Sequence, residues 1–241
     1  MFKNKKIIAI IPARGGSKGI PKKNIINFLG KPLLAWSIED AKSSRLISAV
    51  YVSTDDKEIA KVSRKYGAEV IWRPKEFSGD SSPSEDALKH AMNEVYKAEP
   101  QKIDYVVFLQ ATSPLREAKD IDNAIKKIIS ADADSLFSGA ELDDFYIWKK
   151  RGGKLESLNY DYKNRKRRQD FGEQFVENGS IYIFKPEILF KYNNRLAGKI
   201  VISEMEFWKS FEIDSWEDVK FCEELFKIKG LNKKYGNRKR N

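Results

Sequence analysis

The chain has 241 residues, of which 41% are hydrophobic and 33% are charged, and its formal net charge is +10. This length and composition are typical of a soluble globular protein with a substantial core. No apolar run is long enough to cross a bilayer, no signal-peptide cleavage site follows the N-terminus, and the single cysteine excludes a framework of intrachain disulfides. We therefore expect a cytoplasmic protein without a membrane partner.

The positive charge is concentrated in two segments, residues 163–168 and residues 227–240, whereas the rest of the chain is close to neutral. Residues 230–241 are polar and contain glycine, which is typical of a flexible basic tail. A charge distributed in this way does not indicate a specific nucleic-acid partner. Weak nonspecific contact between RNA and the tail stays open.

Strand-like and helix-like patterns alternate through the first half of the chain. Short apolar runs predict buried strands at Ile7–Ile11, Ala49–Thr54, Glu69–Trp72 and Tyr105–Leu109. Between these runs, apolar residues at helical spacing predict helices that open near Pro32, Lys57 and Ser84, and a further helix around Ile121–Ile128. Such alternation predicts an α/β fold with a doubly wound, mostly parallel sheet.

The alternation changes after Ser138, where the residues become aromatic and charged. Glycines 152 and 153 predict a turn between strands at Phe145–Lys149 and Lys154–Leu158, which indicates a small antiparallel excursion. Core strands return at Ser180–Phe184 and Lys199–Ile202, and a capping box at Ser215–Asp218 predicts the start of the last helix. We divide the chain into a core of residues 1–139, an excursion of residues 140–178, a return to the core of residues 179–229, and the tail.

The segment Ala13–Asn24 directly follows the first predicted strand and contains three glycines and four cations. Ligands of open α/β sheets bind outside the carboxyl ends of the strands. Glycine lets backbone N–H groups approach phosphate oxygens, and the cations supply charge. The segment lacks both the Gly-Lys-Ser/Thr triplet of a P-loop and the G-x-G-x-x-G of a dinucleotide site. It predicts a polyphosphate site, with a solvated basic loop as the alternative.

Four motifs resemble the CMP-sialic acid synthetase (acylneuraminate cytidylyltransferase) family. They occur in order within residues 7–226, as Ile8–Ile25, Val52–Asp55, Leu109–Arg116, and Arg168–Asp170 before Asn178–Gly179. The resemblance implies a Rossmann-like nucleotidyltransferase that transfers CMP from CTP to an acidic nine-carbon sugar and releases pyrophosphate. It also implies a divalent cofactor, Mg²⁺ or Mn²⁺, and a homodimer in which the excursion reaches the partner.

The same resemblance implies roles for individual residues of the nucleotide site. Lys23 and Arg14 are the predicted catalytic residues, because cations neutralise charge at the transferred phosphate. The predicted CTP contacts are Arg14, Ser17, Lys18, Asn24, Ser84 and Gln110. Ser84 has a second interpretation as the N-cap of its helix. Lys22 is interpreted as a solvated cation.

The resemblance also implies sugar and metal residues. The predicted sugar contacts are Gln110, Arg165, Arg167 and Arg168, since the arginine fork matches a carboxylate; an exposed cluster without a ligand is the alternative for Arg165. Asp214 is the predicted metal ligand, with a helix-start carboxylate as its alternative. Glu212 stands where the family often has Asp, so its coordination, direct or through water, stays open.

The sugar itself has several candidates. Sialic acid comes first, legionaminate and pseudaminate follow, and the octulosonate Kdo is the least favoured. A different class also stays open, a non-catalytic nucleotide-binding or RNA-binding protein that uses the basic segments. Direct attack of a hydroxyl on the phosphate needs no protein nucleophile, and we interpret His90, the only histidine, as structural.

Overall fold

The computed structural model describes residues 5–79, 83–142, 145–165, 167 and 172–231. Its strands are β1 (Ile7–Pro12), β2 (Asn27–Phe28), β3 (Lys31–Pro32), β4 (Ala49–Thr54), β5 (Glu69–Trp72), β6 (Tyr105–Leu109), β7 (Ser135–Glu141), β8 (Trp148–Arg151), β9 (Lys154–Ser157), β10 (Phe175–Phe184) and β11 (Ile200–Glu204). Its helices are α1 (Leu33–Ser43), α2 (Lys57–Lys65), α3 (Ser84–Ala98), α4 (Ala118–Ser130), α5 (Pro186–Tyr192) and α6 (Trp216–Ile228). Among these residues, no helix combines the length and apolar character of a membrane span.

A seven-stranded sheet in the order β11-β7-β10-β6-β1-β4-β5 forms the centre of the described structure. Its neighbours pair in parallel, except that β10 runs antiparallel to both β6 and β7. The prediction of a mostly parallel, doubly wound α/β sheet is therefore confirmed. The antiparallel direction of β10 was not predicted.

Strand β1 shows why the apolar runs form the middle of the sheet. Ile7 and Ile11 belong to one hydrophobic cluster, whereas Ile8 and Ile10 belong to a second cluster, and all four are at most 1% exposed. Alternate side chains of a strand point to opposite faces, so both faces of β1 are covered. Burial of each isoleucine contributes roughly 1.5–3 kcal/mol.

Strand β10 begins at Phe175, five residues before the predicted start at Ser180. Asn178 and Gly179 resemble a turn in the sequence, but the pairing of β10 with β7 continues through them with a shift of register, as in a β-bulge. Asn178 is buried and bonds Ser138 Oγ through its Oδ1 at 2.5 Å, while Gly179 has a φ of +67°. The polar pair thus lies inside a strand.

Smaller elements complete the comparison with the sequence. The antiparallel excursion is confirmed as the hairpin β8–β9, although its strands are shorter than predicted or begin later. The capping box is confirmed, because Asp218 accepts from Ser215 N at 2.8 Å while its own N donates to Ser215 Oγ at 3.2 Å. Strand β7, helix α5 and the small hairpin β2–β3 were not predicted.

Candidate functional site

A cavity of about 320 Å³ opens where β1 and β6 end. Pro12 closes β1 beside it, and Phe108 and Gln110 reach it from the end of β6 and the loop that follows. The predicted nucleotide-site residues that line it are Arg14, Lys23, Asn24, Ser84 and Gln110. The edge of the sheet predicted from the sequence is therefore also where these side chains meet.

The glycine loop packs closely against its neighbours. Gly15 N donates to Asp55 Oδ1 at 3.0 Å, and a Cβ at Gly15 would lie 2.9 Å from the side chain of Asp56. A Cβ at Gly19 would lie 2.4 Å from the carbonyl oxygen of Asp214. These two positions exclude larger residues, because the loop must approach both the end of β4 and the segment before α6.

Two side chains brace the loop from within the cavity. Arg14 Nη1 donates to the carbonyl oxygen of Gly79 at 2.9 Å. Asn24 Nδ2 donates to the carbonyl oxygen of Arg14 at 3.0 Å, and Asn24 is buried. Asn24 therefore fixes the backbone that carries Arg14.

Lys23 and Asp214, which the sequence assigned to different roles, form an ion pair. Their Nζ and Oδ1 atoms are 2.7 Å apart, and the side chains are 17% and 75% exposed. Lys22 instead pairs with Glu58 at 2.7 Å, and both of these side chains are 59% exposed. The two adjacent lysines thus point to different surroundings, one at the cavity and one in solvent.

Glu212 is packed against the loop after β6. The amide nitrogen of Gln110, oriented towards this carboxylate, donates to its oxygens at 3.0 and 3.2 Å. Burial, with a smaller contribution from the nearby charge of Asp214, raises the pKa of Glu212 to about 7, although Lys23 and Arg116 oppose the rise. A Cβ at Gly179 would lie 2.0 Å from Glu212 Oε1, so the bulge needs glycine for contact as well as for backbone conformation.

Arg116, in the same loop motif as Gln110, is an internal anchor. Its side chain is buried; Nη1 donates to Ser180 O at 2.8 Å and Nη2 to Ser37 Oγ at 2.6 Å. These bonds connect the loop to β10 and α1. Because charge-assisted bonds are among the stronger ones, Arg116 holds the loop that presents Gln110.

The carboxylates fit a divalent cation of the Mg²⁺ type. Among the described residues, no group of three or more His, Cys, Asp or Glu could hold a metal ion. Mg²⁺, however, is usually bound by one or two carboxylates together with waters and substrate phosphates. Asp214, with its exposed oxygens, and the nearby Glu212 supply that donor set beside the cations of the cavity.

Other predicted site residues that the structure describes lie outside the cavity lining. Ser17 is half-buried and Lys18 exposed in the glycine loop. Arg165 is exposed and stacks over the ring of Tyr146, 4.3 Å from its centroid, and Arg167 is exposed. Arg168 lies outside the described residues.

Arg73 lines the cavity and was missed. It is buried, and its Nε and Nη2 have no hydrogen-bond partner among the described residues. Burial lowers the pKa of Arg73, Asp55 opposes the change, and Arg14 adds to it. Buried donors without a protein partner are available to an acceptor from a ligand or from ordered water. Its position, directly after the predicted strand Glu69–Trp72, was the signal that could have identified it.

Comparisons with known proteins identify the family of the chain. The sequence profile of the family Cytidylyltransferase matches residues 8–239. N-acylneuraminate cytidylyltransferase A of Danio rerio is 38% identical over 216 residues, which are 88% of this chain and 49% of that protein. Pseudaminic acid cytidylyltransferase of Campylobacter jejuni is 34% identical over 239 residues, which are 92% of this chain and 97% of that protein. The chain therefore spans about half of the first relative and nearly all of the second.

A solved structure supports the fold. CMP:2-keto-3-deoxy-manno-octonic acid synthetase complexed with CTP aligns with a TM-score of 0.70 over 93% of this chain and 100% of that chain, at 16% identity. At this identity the likeness concerns the fold alone. Because the family profile matches nearly the whole sequence, and because relatives at 34–38% identity cover most of it, the chain belongs to the cytidylyltransferase family.

Proposed function

We propose that the protein transfers CMP from CTP to the anomeric hydroxyl of a nonulosonic acid. The hydroxyl oxygen forms a bond to the α-phosphorus, the bond from this phosphorus to the oxygen bridging the β-phosphate breaks, pyrophosphate leaves, and the hydroxyl proton passes to solvent. The observation that carries the proposal is the pairing of Lys23 with Asp214 beside a cavity of suitable size and charge. Positioning and charge neutralisation dominate this type of reaction.

The side chains divide the work on the nucleotide. Lys23 and Arg14 neutralise charge that develops at the α-phosphate and the leaving pyrophosphate. Asn24 holds the loop that carries Arg14. The proposed remaining contacts with CTP are those of Ser17, Lys18, Ser84, Gln110 and Arg73. A divalent cation, Mg²⁺ or Mn²⁺, would neutralise phosphate charge when held by Asp214, with Glu212 in contact directly or through water.

The sugar is an acid, and the relatives narrow its class. N-acylneuraminate and pseudaminic acid appear in the names of the relatives from Danio rerio and Campylobacter jejuni. We place sialic acid first, with legionaminate and pseudaminate as close alternatives and Kdo behind them. The basic segment with Arg165, Arg167 and Arg168 supplies guanidinium groups for the sugar carboxylate, and Gln110 contributes an amide from the cavity.

The excursion supports a homodimer. Phe145, Trp148 and Leu155 are exposed on and beside the hairpin β8–β9, by 53%, 40% and 67%. Large apolar side chains that are exposed together on one element are typical of an interaction site. Light scattering should give the mass of two chains, and Leu155→Lys should shift it towards one.

Since CTP is an intracellular nucleotide, we place the reaction in the cytoplasm.

The decisive assay measures pyrophosphate release from CTP and Mg²⁺ in the presence of sialic, legionaminic, pseudaminic and octulosonic acids. We expect release with at least one nine-carbon acid and little with ATP, GTP or UTP. Asp214→Asn should raise the Mg²⁺ concentration that is needed for half-maximal pyrophosphate release. Glu217→Gln, on the exposed side of α6, serves as the matched control. No pyrophosphate release with any of the acids would overturn the proposal. RNA affinity that depends on residues after Gly230 would favour a non-catalytic RNA-binding protein.

A further inference from the structure

One side of the cavity contains a closed network around Ser84, the first residue of α3. Arg195 Nη1 donates to Ser84 Oγ at 2.6 Å and lies 3.1 Å from Glu85 Oε1. Ser84 Oγ in turn donates to Glu85 Oε2 at 3.1 Å. Arg195 comes from the segment between α5 and β11, which is 111 residues further along the chain.

The chemistry of the three groups fixes the direction of each bond. A guanidinium has donors only, and an ionised carboxylate has acceptors only. The single proton of the Ser84 hydroxyl is therefore directed to Glu85, and one oxygen lone pair receives the Arg195 proton. The hydroxyl oxygen keeps a second lone pair. Because Ser84 lines the cavity, its hydroxyl can act there only as an acceptor.

The network is held in place by packing. The Arg195 guanidinium lies 4.4 Å from the centroid of Tyr182 and 5.1 Å from that of Phe108. These two rings stack on each other with centroids 5.4 Å apart. The side chains of Arg195 and Glu85 are only 20% and 17% exposed. A partly buried ion pair with stacking keeps its geometry better than a solvated one.

The surroundings of Ser84 suit a flat, largely apolar group. Phe77, Ala87 and Phe108 line the cavity together with Ser84, whereas the cations of its lining are Arg14, Lys23 and Arg73. A nucleoside triphosphate has both characters, an aromatic base and a polyanion. With CTP as the ligand, as in the proposed function on which this step rests, the base belongs beside Ser84 and the phosphates beside the cations.

We propose that Glu85 is a positioning residue that selects the base and that Arg195 holds Glu85 and Ser84 in place: Glu85 takes the proton of the Ser84 hydroxyl, so the hydroxyl accepts from the amino group of cytosine and opposes the carbonyl group of uracil. Cytosine and uracil differ at this ring position by a donor against an acceptor. A buried acceptor that faces another acceptor is left without a partner, and this is a strong basis for discrimination.

The test separates polarity from simple loosening of the site. Glu85→Ala removes the acceptor that holds the Ser84 proton, so the hydroxyl can donate to a carbonyl. Binding of CTP and of UTP is measured by calorimetry on the full chain, and kcat/KM for both is measured where turnover is present. We expect the preference for CTP over UTP to fall about tenfold or more, mainly because UTP binds better.

Arg195→Met leaves the Ser84 proton on Glu85 and removes only the brace. Here we expect both nucleotides to bind more weakly by a similar factor, with the CTP/UTP ratio kept within about threefold. Asp86→Ala is the matched control, because it removes a neighbouring carboxylate from the same first turn of α3. Adding Ser84→Ala to Glu85→Ala should abolish the gain for UTP, and circular dichroism verifies that each variant is folded.

The outcomes distinguish this inference from the proposed function. If the unsubstituted chain prefers CTP but Glu85→Ala weakens CTP and UTP equally, the selection by Ser84 polarity is overturned and the proposed function stands. A gain for UTP that persists without the Ser84 hydroxyl also overturns it. If the unsubstituted chain binds no CTP, both the proposed function and this inference are overturned.

Discussion

Lys209 and Lys23 both pair with carboxylates, but in opposite surroundings. Lys209 belongs to the segment that also carries Asp214, the partner of Lys23. Lys209 Nζ lies 2.7 Å from Asp120, 3.0 Å from Glu117 and 3.2 Å from Glu206, and its side chain is 0% exposed. Within the described part of the chain, Lys23 forms its ion pair with Asp214, whose side chain is 75% exposed. One cation is enclosed by protein, and the other stands at the edge of a cavity.

The difference shows that the segment from Lys209 to Asp214 is fixed to the core at one end and accessible to a ligand at the other. Burial opposes the charge of Lys209, but the attraction of Asp120 and Glu117 outweighs it and raises its pKa. The pair is therefore charged at neutral pH and ties the turn at Phe207–Ser210 to the start of α4. Asp214 follows five residues later, and its exposed oxygens can exchange Lys23 for a ligand.

The largest effect should come from Lys209→Met. This change removes the buried ammonium that Glu117 and Asp120 share, while Glu117 keeps its pair with Lys119. We expect the free energy of unfolding to fall by about 3–5 kcal/mol, because buried carboxylate charge loses its compensation. Urea denaturation measures the loss. Lys227→Met is the matched control, because Lys227 makes an exposed pair with Glu224. If the two variants unfold at the same urea concentration, Lys209 is not a structural anchor.

Lys23→Ala should show the opposite profile. We expect turnover to fall by roughly 10²–10³-fold, as for loss of one group that stabilises developing charge. Since its partner is mostly solvated, the urea midpoint should stay close to that of the unsubstituted chain. Steady-state kinetics and denaturation are measured on the same preparation. A variant that unfolds early but retains its turnover would reverse the assignment of the two lysines.

The contrast also marks the limit of prediction from sequence. Lys23 and Gln110 were predicted to share a site because each follows an apolar strand within a motif, and Asp214 was predicted to join them because the family resemblance implies a metal carboxylate there. Lys209 could not be predicted, since it lies in no motif of the family resemblance and its partners Glu117 and Asp120 lie 92 and 89 residues away. Pairings at that distance depend on how the elements pack.

The elements of the fold likewise divide into those that the local sequence pattern predicts and those that depend on remote contacts. The strands β1, β4 and β6 are continuous apolar runs, so their pattern is sufficient to predict them. Strand β7 was missed because Ser135, Ser138 and Gly139 interrupt its apolar residues. Ser138 tolerates burial only through its bonds with Asn178 and Ile181, which come from a strand 40 residues later. Arg195 was missed for the same reason, because its partner Ser84 is remote in sequence.

Glu212 is an intermediate case, a partly buried carboxylate near Lys23 but without an ion pair of its own among the described contacts. Burial raises its pKa to about 7, so the folded protein holds this proton more tightly than the unfolded chain does. Its contribution to stability is therefore lost as the pH rises from about 4.5 to about 7. Glu212→Gln should reduce this loss by about 1–2 kcal/mol, after allowance for partial solvent screening. Urea denaturation at pH 5 and pH 7.5 in metal-free buffer measures this change in the free energy of unfolding. An equal change in Glu212→Gln and in the unsubstituted chain would contradict the assignment.

Lys22→Ala should have the smallest effect and provides the sharpest internal comparison for Lys23. Lys22 immediately precedes Lys23 in the same basic loop, but its ammonium pairs with Glu58 where both side chains are largely in solvent. Solvated pairs of this kind contribute little, and its charge does not line the cavity. We expect kcat and the KM for CTP to stay within about twofold of the unsubstituted values. A loss comparable to that of Lys23→Ala would mean that the charge of the whole loop, rather than the position of one ammonium, stabilises the phosphates.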